Sequence, residues 1–319
     1  MNLDELAGAI DLGGTKIAAA IVDRSGSIIS SLRHPTLASE GREAVLKRMC
    51  HILEEAAAQA GISIEQLKGI GIGVPGVVDL GAGTVEGFAN LPGWEGFQLR
   101  RFFQQRCEIP VMVDNDANAA ALGENLFGAG KDCLEMLYIT ISTGIGGGII
   151  SNGRIVRGAS GAAGEIGHIV IDPSGRECKC GNYGCWETVS SGTAIAAEIK
   201  SMISKGEHTI AAELALDGEI KAEHIFEAYR RGDSLAAQVV ERALNYTGLG
   251  VANLVNVLNP EIVVLGGGVA QVGDLILDAV RRKVSELAFG SAINVKIQPA
   301  ILGLEVGVVG AASLVWTED

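Results

Sequence analysis

The chain has 319 residues, 48% of them hydrophobic and 20% charged, and a length of this order buries a sizeable core and predicts two lobes. Its net charge of −13, with no cluster of lysine and arginine, excludes a protein that relies on attraction to a phosphate backbone. No run reaches the uninterrupted apolar length of a membrane helix, and the opening MNLDELAG is acidic where a secretory signal is basic and then apolar, so a soluble cytoplasmic protein is expected.

The first stretch reads as a meander: LAGAID, a turn at Leu12-Gly13-Gly14-Thr15, KIAAAIVD, a turn at Arg24-Ser25-Gly26, and SIISSLRH. Each apolar run is short and bounded by turn residues, as strands are. Residues 42–60 space Val45, Leu46, Met49, Ile52, Leu53 and Ala56 by three and four, which predicts an amphipathic helix ended by Gly61. A strand KGIGIGV, a Pro75-Gly76 turn, a helix near 97–106 and a strand VMVDN complete one α/β lobe. Gly71, Gly73 and Gly76 satisfy the dinucleotide spacing G-x-G-x-x-G, yet Pro75 and the extended residues after Gly76 mark a turn rather than the opening of a helix, which argues against a Rossmann site. A P-loop sequence is absent.

In VDNDANAAALGE, residues 113–124, an apolar strand stops at Asp114 and a helix-forming run begins at about Ala117. Asp116 lies at the junction. It suits an N-cap, and it suits a general base for phosphoryl transfer, a reaction that needs little beyond positioning and charge stabilisation. The two roles are compatible, because a helix start holds a carboxylate at a defined place.

The design then repeats: a strand LEMLYITIS, a glycine turn from Thr143 to Gly148, and a strand IISNG. Helices are expected over most of 192–258, ending at Asn259-Pro260, followed by a buried strand EIVVLGGG, a helix over about 272–289, a strand NVKIQPA and a last helix from about Gly307 to Trp316. The loops Asp11 to Lys16, Thr143 to Gly148 and Gly266 to Gly268 each end an apolar strand. Glycine lets backbone N–H groups turn toward an anion and approach it closely. Gly13, Gly14, Gly144, Gly146, Gly147, Gly267 and Gly268 are therefore candidates to hold a triphosphate, with the hydroxyls of Thr15 and Thr143 as further donors. Asp11 is either a hairpin turn residue or a holder of Mg²⁺, directly or through water, and Lys16 points either to phosphate or to solvent.

Between His168 and Glu187 the chain reads HIVIDPSGRECKCGNYGCWE. Cys178, Cys180 and Cys185 with His168 form a Cys3His set joined by short loops, the ligand chemistry that zinc prefers. A closed four-ligand site leaves no position for substrate, so the metal is expected to hold a loop. That loop carries Glu165 and Glu187 close to His168, and ordered carboxylates suit a polyhydroxylated ligand because they only accept hydrogen bonds. Cys50 falls inside a helical pattern and Cys107 and Cys133 are isolated, so the thiols are expected to be reduced.

DLGGT at 11–15, NDAN at 115–118, the run from Thr143 to Gly164, GEIGH at 164–168 and CKCGNYGCWE at 178–187 together resemble the ROK sugar kinases (repressor, open reading frame, kinase) of the actin-like ATPase superfamily, over nearly the whole chain. The resemblance implies an α/β fold of two ribonuclease-H-like lobes closing on ATP and sugar in a central cleft, with a structural zinc loop and the last helix packed back on the N-terminal lobe. The expected lobes are 1–115 plus 304–319, and 116–303 with the zinc motif. It implies Asp116 as catalytic base, sugar contacts from Gly76, Asn90, Asn115, Glu165, His168 and Glu187, and zinc bound through the other ring nitrogen of His168. It also implies a dimer or tetramer, with a hexose as small-molecule partner and neither nucleic acid nor membrane.

Among family activities, Asn90-Leu-Pro-Gly-Trp94 looks like the glucokinase branch, so ATP-dependent phosphorylation of a hexose 6-hydroxyl, glucose first, is expected. Kinases of N-acetylmannosamine or N-acetylglucosamine share the zinc motif and are the alternative, and polyphosphate is an alternative donor. The fructokinase branch departs from the CxCGxxGCxE pattern kept here. A sugar-responsive repressor of the same family carries a helix-turn-helix ahead of the DxGGT strand, whereas Asp11 is ten residues from the start and the charge is unfavourable. A chaperone or filament protein of the superfamily has no need of a zinc clasp beside a carboxylate cluster.

Overall fold

The computed structural model describes residues 5–86, 91–216 and 218–317, which leaves Asn90 outside the described residues. In chain order the main elements are β1 (Ala7–Leu12), β2 (Lys16–Val22), β3 (Ile28–Pro35), α1 (Arg42–Gln59), β4 (Gly69–Val74), β5 (Val78–Asp79), β6 (Thr84–Val85), α2 (Leu99–Cys107), β7 (Val111–Asn115) and α3 (Asp116–Phe127). They continue with β8 (Met136–Ile141), β9 (Ile145–Ser151), β10 (Arg154–Ile155), α4 (Glu187–Ser190), α5 (Gly192–Ser204), α6 (Ala211–Leu214), α7 (Ala222–Arg230) and α8 (Ser234–Leu258). The chain closes with β11 (Ile262–Gly266), α9 (Asp274–Leu287), β12 (Lys296–Pro299) and α10 (Val306–Ser313).

By its contacts the chain divides into two compact units, Met1–Leu134 with Gly148–Gly164 and Ile301–Asp319, and Glu135–Gly147 with Glu165–Ala300. The junction 115/116, where the lobes were expected to part, is the step from β7 into α3. Contacts keep α3 with the first unit because it packs along α10.

In the first unit the sheet order is β3-β2-β1-β4-β7, with β1, β2 and β3 antiparallel and β4 and β7 parallel. Successive strand residues point to opposite faces. Ile10, Leu12, Ile17 and Ile21 join Val45, Leu46, Met49, Ile52 and Leu53 of α1 in one cluster. Ala7, Ala9, Ala18, Ala20 and Val22 join Val308, Ala311 and Ala312 of α10 in another. The second face is built of small residues because α10 lies close: a Cβ at Gly71 would overlap the carbonyl oxygen of Ala311, and one at Gly310 would overlap that of Ala119 in α3. Gly71 thus has a packing cause that needs no dinucleotide. Glu124, fully buried in α3, accepts the Leu302 N–H at 2.9 Å and the Ala129 N–H at 2.8 Å, tying the end of that helix to the segment that leads into α10.

The second sheet is β10-β9-β8-β11-β12, with β8, β11 and β12 parallel. β9 begins in the second unit and its residues from Gly148 onward count with the first. In each sheet the first strand is central, the second and third lie to one side, and the fourth and fifth strands of the sheet lie to the other, so one ribonuclease-H-like order is used twice.

Among the described residues, the helices expected across 192–258 are four, α5 to α8, with breaks between them. α8 ends as read, with Asn259 in the left-handed region at φ 45° and Pro260 after it. The helix expected at about 272–289 is α9, and a separate 3-10 turn, Val269–Val272, precedes it, with Gly273 at φ 72° between them. α2 begins at Leu99 rather than 97 because Phe97 is held extended in a bridge to Val85.

Candidate active site and metal centre

In the first unit β7 delivers two polar residues, Asp114 and Asn115, to the start of α3. Asn115 is the N-cap: its Oδ1 accepts the N–H groups of Ala117 at 2.8 Å and Asn118 at 3.1 Å, and its Nδ2 donates to the Gly76 carbonyl at 3.0 Å. An asparagine in extended geometry before a helix satisfies the second and third amides in this way. The cap expected of Asp116 therefore falls one residue earlier. Asp116 is the first residue of α3 and its Oδ1 accepts the Ala117 N–H at 2.8 Å. Gly76 meets Asn115 from a turn that requires φ 83°, as the Pro75-Gly76 pair suggested.

Asp114 was read only as a strand end, yet it organises the junction. Its buried carboxylate accepts the Asn115 N–H at 2.7 Å, the Asn118 Nδ2 at 3.1 Å and the Arg157 Nε at 2.8 Å. Arg157 stands 43 positions further along the chain, and nothing in its local sequence marks the pairing.

The Leu12 to Thr15 loop of the same unit is a tight reversal in which the Gly13 N–H donates to the Lys16 carbonyl at 2.9 Å and the Thr36 hydroxyl donates to the Gly13 carbonyl at 2.6 Å. Thr15 and Lys16 are exposed. The Asp11 side chain lies against α10, where a Cβ at Gly307 would overlap its Oδ2. Burial pushes its pKa up to about 6, against the opposing pull of the Arg33 guanidinium.

In the second unit His168, Cys178, Cys180 and Cys185 offer ligand atoms that all lie within 4.8 Å of one another. Cys178 Sγ is 3.6 Å from His168 Nδ1, and Cys180 Sγ is 3.6 Å from Cys185 Sγ. A tetrahedron with metal–sulfur bonds of about 2.3 Å has edges of about 3.8 Å, so the donor set and its spacing fit zinc. Nδ1 faces the thiols, and Nε2 lies 3.9 Å from Glu165 Oε2. A hydrogen bond from the Asn182 backbone brings the Cys180 thiol down to about 7, whereas burial, reinforced by the hydrogen bond with Cys180, pushes Cys185 up to about 12. A bound dication would hold all three as thiolates.

The loop around these ligands is anchored at Asp172. This residue accepts from Ser174 Oγ at 2.8 Å and from the Tyr246 hydroxyl of α8 at 3.0 Å. A Cβ at Gly184 would overlap the Asp172 carbonyl oxygen, so the turn before Cys185 admits only glycine.

Glu187, at the start of α4, reaches the turn between β8 and β9, where its Oε2 accepts the Ile145 N–H at 2.8 Å. A Cβ at Gly144 would overlap that same oxygen. Gly144 thus has a reason to be glycine that is independent of any phosphate. A Cβ at Gly167 would overlap the Ile145 carbonyl, so GEIGH also packs on this turn. Burial raises the Glu165 pKa, with His168 opposing and Glu187 adding to the shift. Gly267, at φ 86°, packs on the Ile141 carbonyl, and the Thr193 hydroxyl donates to the Thr143 carbonyl at 2.6 Å. Thr143 and Gly144 therefore form the turn after β8, Gly146 to Gly148 belong to β9 rather than to the longer glycine turn expected, and Gly267 and Gly268 follow β11, while Glu165, His168 and Glu187 gather at the zinc-type loop beside the β8–β9 turn.

The ROK family model matches residues 7–318. This chain belongs to the ROK family. A glucokinase of Halalkalibacterium halodurans is 38% identical over 316 residues, covering 97% of this chain and 94% of that protein. The crystal structure of a ROK family glucokinase from Streptomyces griseus in complex with glucose and AMPPNP aligns with a TM-score of 0.84 at 37% identity, over 97% of this chain and 98% of that one. A xylose repressor of Caldicellulosiruptor bescii is 33% identical over 307 residues, which are 96% of this chain and 77% of the repressor.

Proposed function

We propose that this ROK chain transfers the γ-phosphoryl group of ATP to the 6-hydroxyl of glucose. The observation that carries the reading is the match to glucokinases along nearly the whole chain, at 38% identity to one relative and 37% to a glucokinase structure with glucose and AMPPNP. The site chemistry agrees with it. With Asn115 acting as cap, α3 does not depend on Asp116 for its N-terminus, and the Asp116 carboxylate serves as base at a fixed position. The 6-oxygen attacks the γ-phosphorus, its proton passes to Asp116, and the bond from phosphorus to the β–γ bridging oxygen breaks to release ADP.

Gly76, Asn90, Asn115, Glu165, Glu187 and the His168 Nε2 would hold the sugar hydroxyls. The glycine loops at 13–14, 144–147 and 267–268, with Thr15, Lys16 and Thr143, would receive the phosphates through N–H and side-chain donors. Mg²⁺ near Asp11 would supply charge neutralisation on the triphosphate. Zinc on His168, Cys178, Cys180 and Cys185 would fix the loop that carries the sugar ligands. The six free thiols suit a reducing compartment, and we assign the protein to the cytoplasm as a homo-oligomer.

Replacing Asp116 tests the reading. Asp116→Asn keeps the shape and loses basicity, so kcat falls about 10²-fold or more while glucose affinity, read by calorimetry, changes little. Near-normal turnover in a folded variant would remove Asp116 from the chemistry.

A further inference from the structure

Arg157 and Asp114 form a largely buried ion pair, with side chains 17% and 4% exposed, and their separation is 2.8 Å. The rest of the Asp114 carboxylate is committed to the junction: Oδ1 takes the Asn115 backbone N–H and the Asn118 amide, leaving Oδ2 for the guanidinium. Asp114 therefore fixes the backbone immediately before Asp116 from one side and the first turn of α3 from the other.

Arg157 is itself held in place. The Ala163 N–H donates to the Arg157 carbonyl at 3.1 Å, closing a turn that contains Gly158 at φ 72° and Gly161 at φ 80°. A Cβ at Gly161 would overlap no more than 2.5 Å from the Val78 carbonyl oxygen, so the turn is seated on β5, a short distance along the chain from Gly76, the acceptor of Asn115. Two residues beyond Ala163 the chain reaches Glu165.

We propose that Arg157 is a positioning residue for phosphoryl transfer, acting through Asp114 on the Asn115–Asp116 junction. The inference rests on the reading of Asp116 as base. A guanidinium suits the task because its planar fork holds one orientation on a carboxylate where an ammonium does not. Without it the Asp114 carboxylate would turn toward other donors and release the Asn115 amide, and displacement of a reacting group by about 1 Å costs on the order of 10²-fold in rate.

The test compares Arg157→Ala, Arg157→Lys, Asp116→Asn and the double variant Arg157→Ala/Asp116→Asn, each checked for folding by thermal melting. Arg157→Ala is expected to lower kcat by about 10- to 100-fold, with the KM for ATP within about twofold of the parent. Methylguanidinium added to the assay is expected to recover part of that kcat, and Arg157→Lys to recover less than half of it. In the double variant the loss is expected to match that of Asp116→Asn alone, because both act on one group. A folded Arg157→Ala enzyme with unchanged kcat would overturn the inference. So would an Arg157→Ala protein that does not fold alongside an Arg157→Lys enzyme of full kcat, which would make the pair a folding device. A fully additive double variant would also overturn it. An active Asp116→Asn enzyme would instead remove the reading of the base on which the inference stands.

Discussion

Asp11 is held in a state that the fold alone does not favour. Its carboxyl is buried against α10 and its pKa rises from 3.8 to about 6. A group whose folded pKa exceeds its unfolded value contributes stability below the unfolded value and loses it as pH rises through the folded one. The window here runs from about pH 4 to about pH 6. Asp11→Asn removes the cost of a buried charge, so the variant is expected to melt above the parent at pH 7.5, by about 1–3 kcal/mol without added Mg²⁺, and the gap is expected to narrow toward pH 4. A gap independent of pH would place the carboxylate in solvent. Gly144 gives a second prediction. Alanine there displaces the Glu187 carboxylate from the Ile145 N–H, a charge-assisted hydrogen bond, so the KM for glucose is expected to rise about tenfold. If only the KM for ATP rises, Gly144 serves phosphate and not Glu187.

At the scale of elements, legibility followed the range of the interactions. The stretch 42–60 was readable because its apolar spacing, its face on the sheet and its end at Gly61 are all local, and α1 occupies Arg42–Gln59. The Cys3His cluster was readable for the same reason, since its short loops nearly dictate the grouping. The cap of α3 was misread by one residue because Asn and Asp both cap helices, and only the extended backbone of Asn115 decides between them. The Asp114–Arg157 pair and the hold of Glu124 on Leu302 were not legible, because they join residues far apart in sequence through single side chains. Gly144 was read as a phosphate glycine, while its neighbour Glu187 supplies a steric cause, and the G-x-G-x-x-G spacing set aside at Gly71 has one in Ala311.

The zinc-type loop carries its prediction at this scale. Cys180→Ser is expected to lower zinc from about one per chain and to weaken glucose binding before nucleotide binding, because carboxylates that are no longer preorganised must be ordered at the expense of binding energy. Elemental analysis and calorimetry on the same sample read both effects. A metal-free protein that binds glucose normally would contradict the role assigned to the loop.

For the whole molecule, one strand order is used twice, once in each five-stranded sheet. Among the described residues no helix is long and apolar enough to cross a membrane. Family membership alone does not fix the activity, because the chain aligns both with glucokinases and with a longer xylose repressor. The central claim is therefore a catalytic one, and steady-state turnover of the purified full chain with ATP over a panel of glucose, mannose, N-acetylglucosamine and N-acetylmannosamine tests it most directly. The account predicts that glucose has the highest kcat/KM, with ADP and glucose 6-phosphate formed in equal amounts. Absence of ATP-dependent turnover of glucose by folded, zinc-loaded protein would contradict it, and so would a higher kcat/KM for either N-acetylhexosamine.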